Sequence, residues 1–221
     1  MSATHDPRQW PARTRVRVTA CVLIALAALV GGEYLARQQS AESRARAGEA
    51  LQATVAQLAE RLSLEMAARV RDVKALSELD GLRATDAPQG VRATLENARR
   101  AMPVFAWFGL TDRTGTVVAA TDDILLGQSI ASRPVFQNGL KALWVGDVHE
   151  AQLLASLVPH AADEPIKFVD VAAPVRGADG QAQGVLALHL SWQWADLLRQ
   201  SVLRPRGAPR SLQLMIVDAR G

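Results

Sequence analysis

The first pattern along the chain is an uninterrupted apolar run near the N-terminus. From Val18 to Gly32, fifteen residues carry no charge, and apolar positions continue to residue 36. About twenty such residues in a helix are needed to cross a bilayer. The run therefore predicts a transmembrane signal anchor over residues 18–36. A cleaved signal peptide and a soluble core helix are the alternatives; the first lacks a clean Ala-x-Ala site and the second is disfavoured by the flanking charges.

A long amphipathic stretch follows the apolar run. Residues 40–79 contain no proline and one glycine, Gly48. Apolar side chains recur there at steps of three and four, which predicts a long helix over residues 37–80, ended by Asp80-Gly81. This apolar stripe comprises Leu51, Val55, Leu58, Leu62, Met66, Val70, Val73 and Leu76. It either packs on its own domain or forms the seam of a parallel homodimer through Leu51, Val55, Leu58 and Leu62.

The hydrophobic period then changes from that of helices to that of strands. Helices are predicted over 89–102, 135–143 and 192–203, and strands over 104–110, 116–121, 167–175 and 184–190. This order predicts an α+β module over residues 81–203, an antiparallel sheet with flanking helices. Residues 204–211 are expected to be a linker. A strand over 212–217 is expected to begin a second module, residues 212–221.

The location of the charges changes what the basic composition implies. The chain holds 25 Lys and Arg against 22 Asp and Glu. Residues 1–17 hold four of the arginines and one aspartate, which accounts for the whole net charge of +3. A basic arm before an apolar span predicts a cytoplasmic N-terminus, with residues 37–221 extracytoplasmic. No basic domain remains, and the arginines of residues 204–210 are interpreted as linker, so no nucleic-acid partner is expected.

The sequence contains none of the catalytic motifs that were considered. The second histidine of a zincin helix is missing after His149-Glu150, and there is no Gly-x-Ser-x-Gly elbow or phosphate-binding glycine loop. The only cysteine, Cys21, lies in the apolar span, and the four histidines are scattered along the chain. The sequence therefore predicts no enzyme within these residues, no cofactor, no disulfide and no metal site.

A set of polar and aromatic residues in the sheet region remains as a candidate ligand site. An arginine can bind a carboxylate in a fork-like way, acids can bind a cationic group, and tryptophans can form walls. These residues are Arg133, Asp147, His149, Asp170, Trp107 and Trp144. The alternative is structural: Arg133 pairs with an acid and Asp147 caps a turn.

Several segments together carry a family resemblance. Residues 132–139 (SRPVFQNG) and 146–151 (GDVHEA) with 153–155 (LLA) are similar to the pocket region of double Cache sensor domains. Residues 164–175 (EPIKFVDVAAPV) and 184–195 (GVLALHLSWQWA) resemble the extracytoplasmic sensor region of bacterial membrane-bound diguanylate cyclases. Sensor histidine kinases and chemoreceptors share the same layout, and a ligand-free membrane-anchored dimerisation module is a further alternative.

The resemblance implies an inner-membrane protein with a dimerising helix and two stacked PAS-like modules, of which the membrane-distal one binds a small ligand. It further implies a second span and a cytoplasmic output domain. The Gly-Gly-Asp-Glu-Phe signature of the cyclase is absent, so we expect a protein truncated before its output domain. Arg133 matches the family's pocket arginine, whereas Val135 and Phe136 replace its Trp-Tyr pair. This departure favours a small carboxylate over an amino acid as ligand.

Overall fold

The computed structural model of the chain describes residues 11–83, 88–150, 167–203 and 213–217. The chain divides into two compact units, residues 1–55 and 56–221. Most of the predicted basic arm (residues 1–10), the linker at 204–211 and both ends of the segment 212–221 lie outside the described residues. So do residues 153–155 and 164–166, which contribute to the family resemblance.

The first unit is built on helix α1, Ala12–Ser77, which is 66 residues long and continues into the second unit. Within the described part of the chain, α1 is the one helix long and apolar enough to cross a membrane. Within residues 18–30, the apolar side chains of α1 are exposed on all sides, which is the pattern of a helix surrounded by lipid. The exposed set includes Val18, Val22, Leu23, Ile24, Leu26, Leu29 and Val30.

The second unit contains an antiparallel six-stranded sheet in the order β2-β1-β6-β5-β3, with β4 also paired to β5. The strands are β1 (Phe105–Thr111), β2 (Val117–Ala120), β3 (Trp144–Val145), β4 (His149–Glu150), β5 (Lys167–Arg176) and β6 (Ala182–Ser191). The other elements are helices α2 (Asp80–Arg83), α3 (Pro88–Ala101), α4 (Pro134–Gly139) and α5 (Gln193–Leu203), with a 3₁₀ turn over Thr121–Asp123.

The central hairpin β5–β6 sets the register of the sheet. Val175 lies opposite Gly184, and regular pairing continues from there to Phe168 and Ser191. A Cβ atom at Gly184 would lie 1.8 Å from the carbonyl oxygen of Thr111. Glycine at this position therefore allows β1 and β6 to approach closely.

The two faces of the sheet carry separate cores, because successive strand residues point to opposite sides. On the first face, Val169, Val171, Leu186 and Leu188 pack with residues of α1, α3 and α5. On the second face, Phe168, Ala172, Val185 and Ala187 pack with Val135 and Phe136 of α4 and with Trp107 of β1. Asp170 and His189 share the strand parity of the second set and lie on that face.

One part of the apolar stripe of α1 is buried and the other part is exposed. Val73 and Leu76 are buried in the first core, and Leu62, Met66 and Val70 pack against it. Leu58 is also buried, whereas Leu51 and Val55 are 43% and 53% exposed. Much of the stripe thus packs on its own module, and the homodimer seam stays a prediction for which Leu51 and Val55 are the exposed members.

The predicted α+β class, with an antiparallel sheet and flanking helices, is confirmed. Three predicted elements differ. The long helix ends at Ser77, and Asp80-Gly81, which were predicted to end it, begin the short helix α2 instead. Helix α4 ends at Gly139 rather than at residue 143; Gly139 packs so closely on the sheet that an added Cβ would lie 2.7 Å from Ala172 Cβ. The strand predicted over 212–217 was wrong for its described part, since residues 213–217 form neither helix nor strand. A strand requires a hydrogen-bonded neighbour, and no described strand pairs with this segment.

Candidate functional site

A cluster of three polar side chains occupies the second face of the sheet. Asp170 on β5 and His189 on β6 are register partners, and His189 Nδ1 contacts Asp170 Oδ1. His149 on β4 lies opposite Phe168, and its Nε2 is 3.6 Å from the same carboxylate oxygen. Asp170 is only 7% exposed. We call His149, Asp170 and His189 the polar cluster.

Aromatic rings surround the imidazole of His189. Trp107 lies opposite His189 on the neighbouring strand, with ring centroids 5.1 Å apart. The Phe168 ring lies 5.4 Å away and the His149 ring 6.3 Å away. Trp107 is buried, and its Nε1–H donates a hydrogen bond of 3.1 Å to the carbonyl oxygen of Ile124. The imidazole is thereby held in a largely apolar setting with the Asp170 carboxylate as its polar contact.

Glycines two residues along the chain make room for both tryptophans. A Cβ at Gly109 would lie 2.1 Å from the ring of Trp107. A Cβ at Gly146 would lie 2.7 Å from the ring of Trp144. Because residues i and i+2 share a strand face, each indole lies flat over its glycine. Trp-x-Gly in a strand thus indicates an indole that lies along the sheet.

Trp144 and Asp147 lie near the polar cluster in the chain but contribute in different ways. Trp144 is partly buried on β3, opposite Ala172. Asp147 is exposed, and its Oδ1 accepts the backbone N–H of Val148 at 2.8 Å. The carbonyl oxygen of Asp147 lies 3.2 Å from Nδ1 of His149. The described contact of Asp147 with the cluster is thus made by its main chain.

Arg133 lies on another element, directly before α4. Its backbone is extended, its N–H donates to Ile130, and its carbonyl oxygen accepts the N–H groups of Phe136 and Gln137 at 3.1 Å each. The side chain is partly buried. Val135 and Phe136, which follow it, are 5% and 6% exposed and belong to the second core. They therefore support α4 rather than line an open pocket.

Helix α3 holds the loop that carries Ile124. Arg92 pairs with Asp123 at 2.6 Å, and Glu96 Oε1 accepts the backbone N–H of Asp122 at 2.8 Å. This hydrogen bond is the main cause that lowers the pKa of Glu96, and Arg99 adds to it against the opposing effect of burial. Asp122 and Asp123 have positive φ angles of 53° and 56°, so the loop adopts a backbone that needs such support.

Of the six residues predicted for a ligand site, the structure brings His149, Asp170 and Trp107 together around His189, a residue that was not predicted. A role of the six in ligand binding stays a prediction. The signal for His189 was present, because Asp170 and His189 are polar residues in two otherwise apolar strands joined by one turn. Counting outward from the turn places them opposite each other.

Comparisons with known proteins identify the fold. No protein-family model matches the chain, and no curated protein matches it. Among solved structures, the sensor domain of the Vibrio cholerae histidine kinase DctB superposes with a TM-score of 0.54 at 16% identity, covering 66% of this chain and 57% of that one. An extracellular ligand-binding receptor from Desulfohalobium retbaense superposes with a TM-score of 0.54 at 16% identity, covering 68% of this chain and 27% of that one.

A third similar structure is the ligand-binding domain of the Campylobacter jejuni chemoreceptor Tlp3, with a TM-score of 0.50 at 13% identity, covering 66% of this chain and 59% of that one. This chain thus spans less than two thirds of the length of each of the three. These likenesses show the fold, which is that of Cache-type sensor domains.

Proposed function

We propose that this chain is the membrane-anchored, extracytoplasmic sensor part of a bacterial signal-transduction protein, and that the parent protein is a diguanylate cyclase. The Cache-type fold supports the sensor role. The resemblance of residues 164–175 and 184–195 to cyclase sensor regions supports the choice of output. A histidine kinase or a chemoreceptor is the alternative parent, since both have sensor domains of this fold.

The observation that carries the sensor proposal is the polar cluster. A buried carboxylate and a partly buried imidazole are costly on a sheet face unless they are partnered, and they are expected where a ligand is bound. His149, Asp170 and His189 provide polar contacts, while Trp107 and Phe168 provide apolar walls. This combination is typical of small-molecule sites.

The proposed ligand is a small molecule that carries a carboxylate. Arg133 is assigned to the carboxylate because its guanidinium can bind both oxygens. Asp147 and Trp144 are assigned to the rim of the same site. The Tlp3 domain is described in complex with 4-methylisoleucine and a Pseudomonas fluorescens chemoreceptor CtaA domain in complex with L-serine, which supports a ligand of about this size. Val135 and Phe136, which replace the Trp-Tyr pair of the amino-acid-binding family members, are buried. We therefore propose a small carboxylate rather than an amino acid as the ligand.

The membrane arrangement is proposed from the same elements. Residues 1–17 form a cytoplasmic arm, 18–36 the inner-membrane anchor, 37–80 the long helix, 81–203 the distal sensor module, 204–211 the linker and 212–221 the start of a proximal module. Helix α1 is continuous from Ala12 to Ser77. In the proposed mechanism, α1 packs on the first core in two alternative ways. A ligand that binds one of them more tightly would shift the equilibrium toward that packing, by an amount set by the difference in affinity.

A thermal-shift screen of the full chain in detergent micelles against small carboxylates tests the proposal. A hit should raise the melting temperature, and Arg133→Ala should abolish that shift. Arg113→Ala is the matched control, because Arg113 is an exposed arginine in the turn between β1 and β2. A screen without a hit would refute ligand sensing by this chain, and a shift retained in Arg133→Ala would remove Arg133 from the site.

One observation favours a second candidate, a ligand-free dimerisation module. Leu51 and Val55 are exposed apolar residues on α1, as expected for a seam with a second copy. In that case crosslinking at the seam should be the same with and without every ligand of the screen. A ligand-dependent change in crosslinking would contradict this alternative.

A further inference from the structure

We propose that His149, Asp170 and His189 bind a divalent transition-metal ion of the zinc class. They are the one group of three potential metal-binding side chains found among the described residues, and their ligand atoms all lie within 4.8 Å of one another. Two imidazoles and a carboxylate form a ligand set that zinc sites use. The inference rests on the proposed function in that it assigns the chemistry of the same site.

The distances suit a metal centre. Zinc–nitrogen and zinc–oxygen bonds are about 2.0–2.2 Å, so tetrahedral ligand atoms lie about 3.4 Å apart. His149 Nε2 and Asp170 Oδ1 are 3.6 Å apart. The ligand atoms of all three residues lie within 4.8 Å of one another, so the strand pairing alone brings the set together.

The surroundings of His149 also fit a metal ligand. Its Nδ1 lies 3.2 Å from the carbonyl oxygen of Asp147, which accepts a proton carried on Nδ1. The Nε2 lone pair then points toward the Asp170 carboxylate. Two electron-rich atoms repel each other unless a proton or a metal cation lies between them. Metal-bound histidines commonly use their second nitrogen in this way, to donate to a carbonyl oxygen.

Burial of the carboxylate supports the same conclusion. Asp170 is 7% exposed, and a charge so far from water needs pairing or coordination. The contacts of Trp107 and Phe168 with the His189 ring fix its position. A ligand set held in place before the ion arrives binds it more tightly.

The ligand types select the class of metal. Two imidazoles suit zinc, copper, nickel or iron, whereas magnesium and calcium prefer oxygen ligands only. Three protein ligands leave the fourth position of a tetrahedral ion open. A carboxylate of the sensed molecule can occupy that position, in which case the metal forms part of the recognition of the ligand.

Direct metal titration of the full chain in detergent tests the proposal. Metal-free protein is titrated with Zn²⁺ in competition with a chromophoric chelator, and with Co²⁺ while the visible spectrum is followed. We expect one ion per chain and the intense bands of four-coordinate Co²⁺. His149→Ala and His189→Ala should weaken Zn²⁺ binding more than about 100-fold, since loss of an outer-shell partner alone costs about 10–100-fold.

Glu150→Gln is the matched control, because Glu150 follows His149 on β4 and its side chain points to the other face. It should bind Zn²⁺ like the wild type. Equal affinity of His149→Ala and the wild type would overturn the proposal, as would the absence of Zn²⁺ binding. His149 is 42% exposed, so its variant keeps the fold even if His189→Ala unfolds.

The same protein separates this inference from the sensor proposal. The carboxylate screen is repeated on chelator-treated chain without metal. A thermal shift without any Zn²⁺ binding would overturn the metal site and leave the sensor intact. Zn²⁺ binding that His149→Ala and His189→Ala weaken supports the metal site even where no carboxylate gives a shift.

Discussion

Asp170 and His189 face each other across β5 and β6, and the carboxylate of one contacts the imidazole of the other on the sheet face that α1 does not cover. Both residues belong to strands whose remaining positions are almost entirely apolar. This polar pair in the central hairpin is the observation on which the proposed ligand and metal sites depend.

Gly109→Ala should displace Trp107. The added methyl group would lie 2.1 Å from the Trp107 ring, and overpacking of this kind lowers the free energy of unfolding by about 1–3 kcal/mol. Chemical unfolding and tryptophan fluorescence measure the loss of stability and the change around the indole. Gly90→Ala in α3 is the control, because nothing lies within 4 Å of its added Cβ. Equal stability of Gly109→Ala and the wild type would contradict the packing described.

Gly115→Ala and Gly127→Ala should differ in cost although both glycines have positive φ angles, 87° and 75°. The left-handed backbone costs each alanine about 1–2 kcal/mol. Only at Gly115 would the new Cβ also meet another backbone, 2.8 Å from Cα of Ala131. Unfolding free energies should therefore fall further for Gly115→Ala, and the reverse order would refute this close approach.

Glu96→Gln should alter the pH dependence of stability. The pKa of Glu96 is lowered from its ordinary value of 4.5, chiefly by the Asp122 N–H. The stabilisation is therefore fully present above 4.5 and is lost as the pH falls through the lowered pKa of the folded state. Urea unfolding at about pH 7 should give Glu96→Gln a lower free energy of unfolding than the wild type. At about pH 3 the difference between the two free energies should be smaller.

Glu60→Gln is the control for that measurement, since Glu60 is an exposed glutamate on α1. Its stability relative to the wild type should change little between the two pH values. A constant stability difference between Glu96→Gln and the wild type would show that ionisation of Glu96 adds nothing to folding.

Val55→Cys should form a disulfide-linked dimer if the exposed part of the α1 stripe is a parallel seam. The experiment uses a Cys21→Ser background, because Cys21 is the only native cysteine. Gln57→Cys is exposed and lies about 200° around the helix, so it should crosslink far less. Non-reducing gels of the full chain in membranes give the yields. Equal yields at both positions would argue against the seam.

The sequence predicted the order of the helices and strands well, because the hydrophobic period changes clearly along the chain. The stripe from Leu62 to Leu76 shows which face of α1 is buried, whereas β5 is apolar on both faces and is buried on both. The short strands β3 and β4 escaped detection, since two-residue strands carry no period. Their existence depends on pairing with β5, which is a tertiary contact.

The candidate site was predicted in part for a related reason. Asp170, His149 and Trp107 were chosen by residue type, but the contact between His149 and Asp170 depends on the pairing of β4 with β5, which is a tertiary contact. His189 was missed because its role depends on the register of β5 and β6, which a sequence reading does not calculate. Arg133 was predicted to precede a short helix and lies directly before α4, while its part in a ligand site stays a prediction.

Successive residues of β5 and β6 point to opposite faces of the sheet, so substitutions in these strands have two separate effects. Substitutions at Val169, Val171, Leu186 or Leu188 alter the first core and are constrained by folding. Substitutions at Asp170 or His189 leave that core untouched, since these side chains point the other way. If Asp170 and His189 bind the ligand as proposed, substitutions at these two positions would change which molecule is bound while the first core keeps the scaffold folded.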